Sequence, residues 1–189
     1  AREEYRLAEK GWTAYLANDP DAADAYESKY WIADSRHKIV VTTHLLGEKL
    51  DPQQVISARD AAVAVRDSNL DDKYLRYAAY FAVEVWDLLA EEGFDAHKKA
   101  TCNPSVGLPV IESPLDEPGD ACRPESTKES REHRRIWVRS VPDVVVQQLR
   151  ERDDYAARVP ESADVDKNAP TFRVQVADTL FRYGRFEEA

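Results

Sequence analysis

Residues 73–94 read KYLRYAAYFAVEVWDLLAEEGF, and that stretch is apolar on too many sides to stand alone. Leu75, Ala78, Ala79, Ala82, Val85, Trp86 and Leu89 recur at spacings of three and four, the signature of one helical stripe. Tyr77, Tyr80 and Phe81 place further aromatic bulk on the reverse side. A helix apolar on both sides has to be covered on both sides, so it belongs between neighbours in a stack. The rest of the chain must supply those neighbours.

The flanking segments do read as helices. Tyr5, Ala8, Trp12, Tyr15 and Leu16 form one stripe over residues 2–17, which NDPDA then breaks at Asp19-Pro20. From Ala22 to Leu46 the stripe runs through Tyr26, Tyr30, Ala33, His37 and Val41, widened by Ile32, Ile39 and Val40, and Gly47 punctuates it. Asp51-Pro52 supplies a cap followed by the residue favoured at a first helical position, predicting a helix to about Arg66. Asp71 is the expected cap of the 73–94 helix. Helix is expected again over 128–139 and from Asp143, where Ser140 and Asp143 have the spacing of a capping box. The Val144–Val146 run has strand propensity, but its length and its polar sequel favour helix. PESADVDKNAP is a second linker, and the last helix is expected to begin near Thr171. No strand pair or hairpin turn is evident, so the fold class is all-α.

A chain of 189 residues, 43% hydrophobic and 33% charged, is long enough to bury a core and has a globular composition. Its net charge of −10 opposes phosphate backbones, which argues against a nucleic-acid partner. The short basic run KESREHRRIWVR at 128–139 is flanked by acids and reads as a solvated helix face. No apolar run reaches the roughly 18 residues that span a bilayer. AREEYRLAEKGW is too charged for a signal peptide. The missing initiator Met and the helical character of the last residues lead us to expect a piece of a longer polypeptide, with any targeting signal upstream.

Cys102 and Cys122 flank a segment with four prolines, two glycines and no helical period, the composition of a long loop. A disulfide there would close a ring of about 20 residues and contribute roughly 3 kcal/mol. It would also imply an oxidising compartment. The alternative is a pair of free thiols in a reducing one. The spacing lacks the paired Cys-x-x-Cys of a zinc site. The expected organisation is helical hairpins over 1–92, a loop insertion over 93–133 and further helices over 134–189.

One pattern occurs twice. In YLANDPDAADAYESKYWIAD (15–34) and YAARVPESADVDKNAPTFRVQVAD (155–178), a Tyr precedes a Pro by five residues, and an acidic linker leads to an aromatic run closing on Ala-Asp. Repeated helix–turn–helix units arise where a single unit cannot bury its own apolar face. VADTLFRYGRFEEA (176–189) resembles the first helix and turn of a tetratricopeptide repeat: Ala177 at the small packing position, Leu180 three later, Gly184 in the turn, then Phe186 and Ala189. AEKGWTAYLANDP is similar to a second helix, with Ala8, Trp12, Leu16 and the closing Pro20. The resemblance covers about residues 5–46 and 143–189, is looser over 51–92 and fails across 93–139. The middle units lack turn glycines, and the usual period of about 34 residues is not kept. The 15–34 variant is similar to repeats in periplasmic and lipoprotein members of the family, including cell-division coordinators and outer-membrane assembly lipoproteins. VRDSNLDDKYLRYAAYFAV resembles repeat-bearing envelope proteins of gliding deltaproteobacteria.

The resemblance implies a right-handed α-solenoid of helical hairpins. It also implies a non-enzymatic scaffold of the bacterial envelope, periplasmic or outer-membrane-associated, that binds other envelope proteins or peptide segments in a groove. Arg36, Arg76, Tyr77, Tyr80, Glu84 and Trp137 are the expected groove residues from their helix positions and aromatic character. For Trp12, Trp31 and Trp86, core packing is the expectation.

No catalytic, cofactor or metal constellation stands out. His37 and His44 are two helical turns apart, but no His-Glu-x-x-His pattern exists, and packed or solvated histidines are expected. Glu132-His133 would need a partner for acid–base work. There is no G-x-S-x-G and no phosphate-cradling glycine loop. Acid pairs such as Glu84/Asp87 and Asp153/Asp154 are ordinary on so acidic a surface. Two other readings remain open: an all-α hydrolase gathering residues from separate helices, and a glycan- or small-ligand-binding envelope protein using stacked aromatics.

Overall fold

The computed structural model describes residues 1–68, 72–96, 141, 143–182 and 189. These form six helices: α1 Arg2–Asn18, α2 Ala25–Leu45, α3 Pro52–Arg66, α4 Leu75–Ala96, α5 Asp143–Arg158 and α6 Asn168–Arg182. No strand occurs among the described residues, so the all-α class holds. None of their helices is long and apolar enough to cross a membrane. Cys102, Cys122, Trp137, the expected 128–139 helix and the caps Asp71 and Ser140 lie outside the described residues.

Local chemistry fixes where the helices start and stop. Gly47, at φ 68°, ends α2. Its N–H bonds the His44 carbonyl at 2.8 Å, and the Glu48 N–H bonds the Thr43 carbonyl at 3.2 Å. That pair of bonds satisfies two carbonyls the helix cannot satisfy itself, and the left-handed backbone it needs is most cheaply supplied by glycine. The Asp51 carboxylate accepts the Gln53 N–H at 3.0 Å to open α3, with Pro52 in the first turn.

α6 begins three residues earlier than its sequence pattern predicts. The Asp164 carboxylate reaches over the start of the helix and accepts the N–H groups of Asn168 at 3.0 Å and Ala169 at 2.8 Å. It accepts the Tyr155 hydroxyl as well, at 2.8 Å. A cap borrowed from the linker stabilises a first turn containing Asn168, Ala169 and Pro170, which the apolar pattern alone does not mark.

Each helix packs on the next in chain order, and α2 also packs on α4. α4 contributes to three separate clusters. Ala78, Phe81 and Ala82, with Tyr74 just before the helix, meet Tyr30 and Ala33 of α2 and Ala62 and Val65 of α3. Val85 and Trp86 meet Val40, Leu50, Val55 and Ala58. Ala79 and Val83 meet Tyr155, Val159 and Phe172. The alanines of this group are fully buried, which lets backbones approach closely. Burying each larger side chain is worth roughly 1.5–3 kcal/mol. Val145 and Leu149 of α5 complete a fourth cluster with Val176 of α6.

Charge joins α3 to α5. Glu151 is 0% exposed. It accepts from Arg59 Nε at 2.7 Å on one oxygen and from Arg66 Nη1 at 2.7 Å on the other. Arg66 also bonds Asp67 at 2.7 Å and approaches Asp154 at 3.3 Å, and Arg158 approaches Asp67 at 3.3 Å. Each buried charge here has a counter-charge, the condition under which burial of ions is tolerated.

Candidate functional site

Among the described residues α4 is covered by α2, α3, α5 and Phe172 of α6, and one line of its surface is left open by them. Arg76, Tyr77, Tyr80, Glu84, Asp87 and Glu91 follow one another at helical spacing along it. Tyr77 is 45% exposed, unusual for so large a ring beside a core. It lines a cavity of about 370 Å³ together with Arg76, Tyr80, Asp166 and Asn168. The cavity therefore lies between the first half of α4 and the turn that opens α6. The Asp164 cap and the positive φ of Lys167 set the path of that turn.

The walls are polar and aromatic. The Arg76 guanidinium lies 4.4 Å above the Tyr77 ring and pairs with Asp166. The Tyr80 ring faces Phe172 at 6.5 Å, while its hydroxyl has no hydrogen-bond partner among the described residues. Burial raises the Tyr80 pKa above the ordinary phenol value, and the carboxylates of Glu84, Asp87 and Asp166 add to the rise. The cavity lining thus holds one cation, Arg76, paired with one carboxylate, Asp166, and Glu84 and Asp87 stand near the Tyr80 phenol.

Further along α4, Nε2 of His37 lies 2.6 Å from a Glu84 oxygen. His37 is 8% exposed and stacks on Phe81 at 4.1 Å, while its Nδ1 has no partner among the described residues. His44 and Glu91 repeat this pairing two turns on, at 3.6 Å. Asp87 accepts from Gln148 at 2.8 Å and Arg152 at 3.0 Å. Burial pushes the Asp87 carboxyl upward despite the Arg152 charge and these bonds.

Of the residues expected in a groove, Arg76, Tyr77 and Tyr80 share the cavity, and Glu84 lies one turn beyond Tyr80. Arg36 is elsewhere: it donates to Glu9 at 2.7 Å between α1 and α2 and lines a separate cavity of about 270 Å³ with Asp51 and Ser57. Trp137 and the cysteines fall outside the described residues. Asp166, Asn168 and the His37–Glu84 pair are not marked by the sequence. One signal for the pair is present there: histidines seven apart on one helix and glutamates seven apart on another. Most remaining aromatics are consumed by each other, with Tyr30 stacked on Tyr74 at 3.9 Å and Trp31 edge-on to Tyr30 at 5.0 Å. Trp86 is buried, as expected for a core tryptophan, and Trp31 is partly buried against the same cluster as Tyr30.

Among the described residues no group of three or more His, Cys, Asp or Glu could hold a metal ion. No protein-family model matches the chain, and no curated protein or solved structure matches it either.

Proposed function

We propose that the protein is a tetratricopeptide-like α-solenoid segment that binds partner polypeptides along the open line of α4. The observation that carries this reading is the placement of α4. It touches α2 before it and, through Tyr80 and Phe172, α6 after it, while α3 and α5 cover its remaining sides. Side-by-side contact between alternate helices, as between α2 and α4, is the packing expected of a helical-repeat stack, and such stacks bind extended or helical segments on the layer it creates. The half-exposed Tyr77 and the cavity beside it supply an aromatic anchor, the residue type enriched at interface hot spots.

An envelope location rests on the cysteine pair. Mass measurement after alkylation, with and without reductant, tests it, and two free thiols in protein purified from its host would remove that support.

The binding reading is tested by titrating labelled peptides of varied charge into the purified chain, comparing wild type with Tyr80→Ala. Saturable binding that Tyr80→Ala weakens at least tenfold, with the helical content unchanged, is the expected result. Binding unaffected by Tyr80→Ala would place the partner surface elsewhere, and failure of every peptide to bind would overturn the reading.

A further inference from the structure

Resting on that reading of the α4 face as a docking surface, we propose that its occupant is a lysine- or arginine-bearing segment of another polypeptide, whose cationic group enters the cavity beside Tyr80. Internal pairing leaves charge over on this face. Four carboxylates face the open line: Glu84, Asp87 and Glu91 on α4, and Asp166 from the turn before α6. Arg152 of α5 takes Asp87, and Arg76 takes Asp166. Among the described residues, Glu84 and Glu91 face only the imidazoles of His37 and His44. On α2 the other nearby acid, Asp34, already pairs with Lys38 at 3.0 Å. The face therefore has two carboxylates without a lysine or arginine opposite them among the described residues.

The aromatic side of the cavity adds a second, independent preference. Tyr77 already carries the Arg76 guanidinium on its ring, so the aromatic wall is compatible with a cation. Tyr80 has an unengaged hydroxyl and no cation over it among the described residues. An ammonium or guanidinium entering beside Tyr80 meets the π face, the phenol oxygen and Glu84 together, each of which favours a cation, while Arg76, the cation already in the lining, is held by Asp166. An acidic segment would set its charge against Glu84 and Glu91. An apolar one would strip water from Glu84 and give it no new partner, which disfavours it as strongly. At about 370 Å³ the cavity has the size of a small-ligand site, ample for one long basic side chain.

The test uses short Ala/Gln peptides bearing spaced lysines, spaced glutamates or neither, followed by fluorescence anisotropy with the whole chain. The comparison is between Glu84→Gln/Glu91→Gln and Glu3→Gln/Glu4→Gln, which remove the same charge from the α4 line and from exposed positions on α1. The lysine peptide is expected to bind tightest. The α4 variant should weaken it about tenfold and the α1 variant less than about threefold, since an unspecific field is partly screened by salt. Equal loss in both variants would show that binding follows net charge alone and overturns the proposal. Spermidine displacing the lysine peptide at equal concentration would also overturn it, because the occupant would then be a free polyamine.

If the glutamate or neutral peptide binds instead, and Tyr80→Ala abolishes that binding, the cationic inference falls while the docking reading stands. If no peptide binds, both fall. One check needs no variant: the lysine peptide must shift the ring resonances of Tyr77 and Tyr80 in the wild-type protein, and unshifted resonances at saturation refute the site.

Discussion

Replacing Glu151 by alanine tests whether the ion cluster between α3 and α5 holds the fold together. The carboxylate is fully buried, and Arg66 beside it is 2% exposed. Removing one partner of a buried pair costs about 3–5 kcal/mol, because the other charge stays desolvated. Arg66 retains Asp67 at 2.7 Å and Asp154 at 3.3 Å, and Arg59 retains Asp60 at 2.9 Å, so the loss should fall at the low end, about 3 kcal/mol. For a chain of this size that corresponds to a fall in Tm of about 6–12 °C. Glu151→Gln keeps the shape and one acceptor and should cost less, about 2 kcal/mol, in line with hydrogen bonds to charged groups. Urea denaturation followed by circular dichroism measures both. The Glu151→Gln/Arg66→Met double variant should be less damaging than the sum of its singles, since the orphaned charge is removed with its partner. A cost under about 1 kcal/mol for Glu151→Ala, or strict additivity of the double variant, would refute the view that these charges depend on one another.

Three further outcomes follow from the same structure. Donation from Ala169 N–H, Tyr155 Oη–H and Asn168 N–H outweighs the effect of burial and holds the Asp164 carboxyl below the ordinary range. A depressed carboxyl stabilises the fold above the unfolded value of about 3.9 and loses that contribution as pH falls through its folded value. Asp164→Asn should therefore lower Tm near neutral pH, with the gap to wild type closing in acid; a gap that stays constant to about pH 2 would count against the cap. Burial leads the forces that raise Tyr30 and Tyr155 to about 12. Stability tied to these phenols is lost as pH rises from about 10 through that value, so alkaline unfolding and late tyrosinate absorbance should coincide. Gly47 has φ 68° and open space where a methyl group would stand, so Gly47→Ala should cost about 1–2 kcal/mol from backbone strain alone, and Gly47→Asn less. Equal costs for the two, read from urea midpoints, would point to a packing origin instead.

Periodicity makes the helices legible because each one buries a stripe. The pattern in α3 agrees with the observed Pro52–Arg66 at both its start and its end, helped by Asp51-Pro52 and a turn after Arg66. The doubly apolar α4 announces its central position, and Ala78, Ala79, Ala82 and Ala90 are indeed buried. The start of α6 is hidden from such a reading because Asp164 acts from four residues upstream, through a carboxylate whose target N–H groups leave no trace in apolar spacing. The same limit applies to charge. Glu151 sits in the polar stretch QQLRERDD and looks like any surface acid, and only the folded arrangement brings Arg59 and Arg66 to it. At the site, Tyr77 and Tyr80 are legible as aromatics on the less apolar side of a buried helix. Asp166 is not, since its role depends on where the α5–α6 turn meets α4.

Tyr77 and Ala78 are adjacent in the chain and opposite in consequence, which separates binding from stability on the same helix. Ala78 is fully buried among Tyr30, Ala62 and Phe81, so Ala78→Leu has no space to fill. Overpacking of that kind costs about 1–3 kcal/mol. Tyr77 keeps nearly half its surface in water and meets Tyr30 only edge-on at 6.4 Å, so Tyr77→Ala should cost about 1 kcal/mol or less, the worth of one weak aromatic contact. It would, however, remove one wall of the cavity and the ring under Arg76. Thermal melts paired with the peptide titration read both effects. The expected pattern is a near-native melt with weakened binding for Tyr77→Ala. Ala78→Leu should show the reverse: a lowered melt, with binding intact at temperatures where the variant is folded. If Tyr77→Ala instead lowers Tm as far as Ala78→Leu does, the ring belongs to the core, and the open line of α4 shrinks to Tyr80 and the acids.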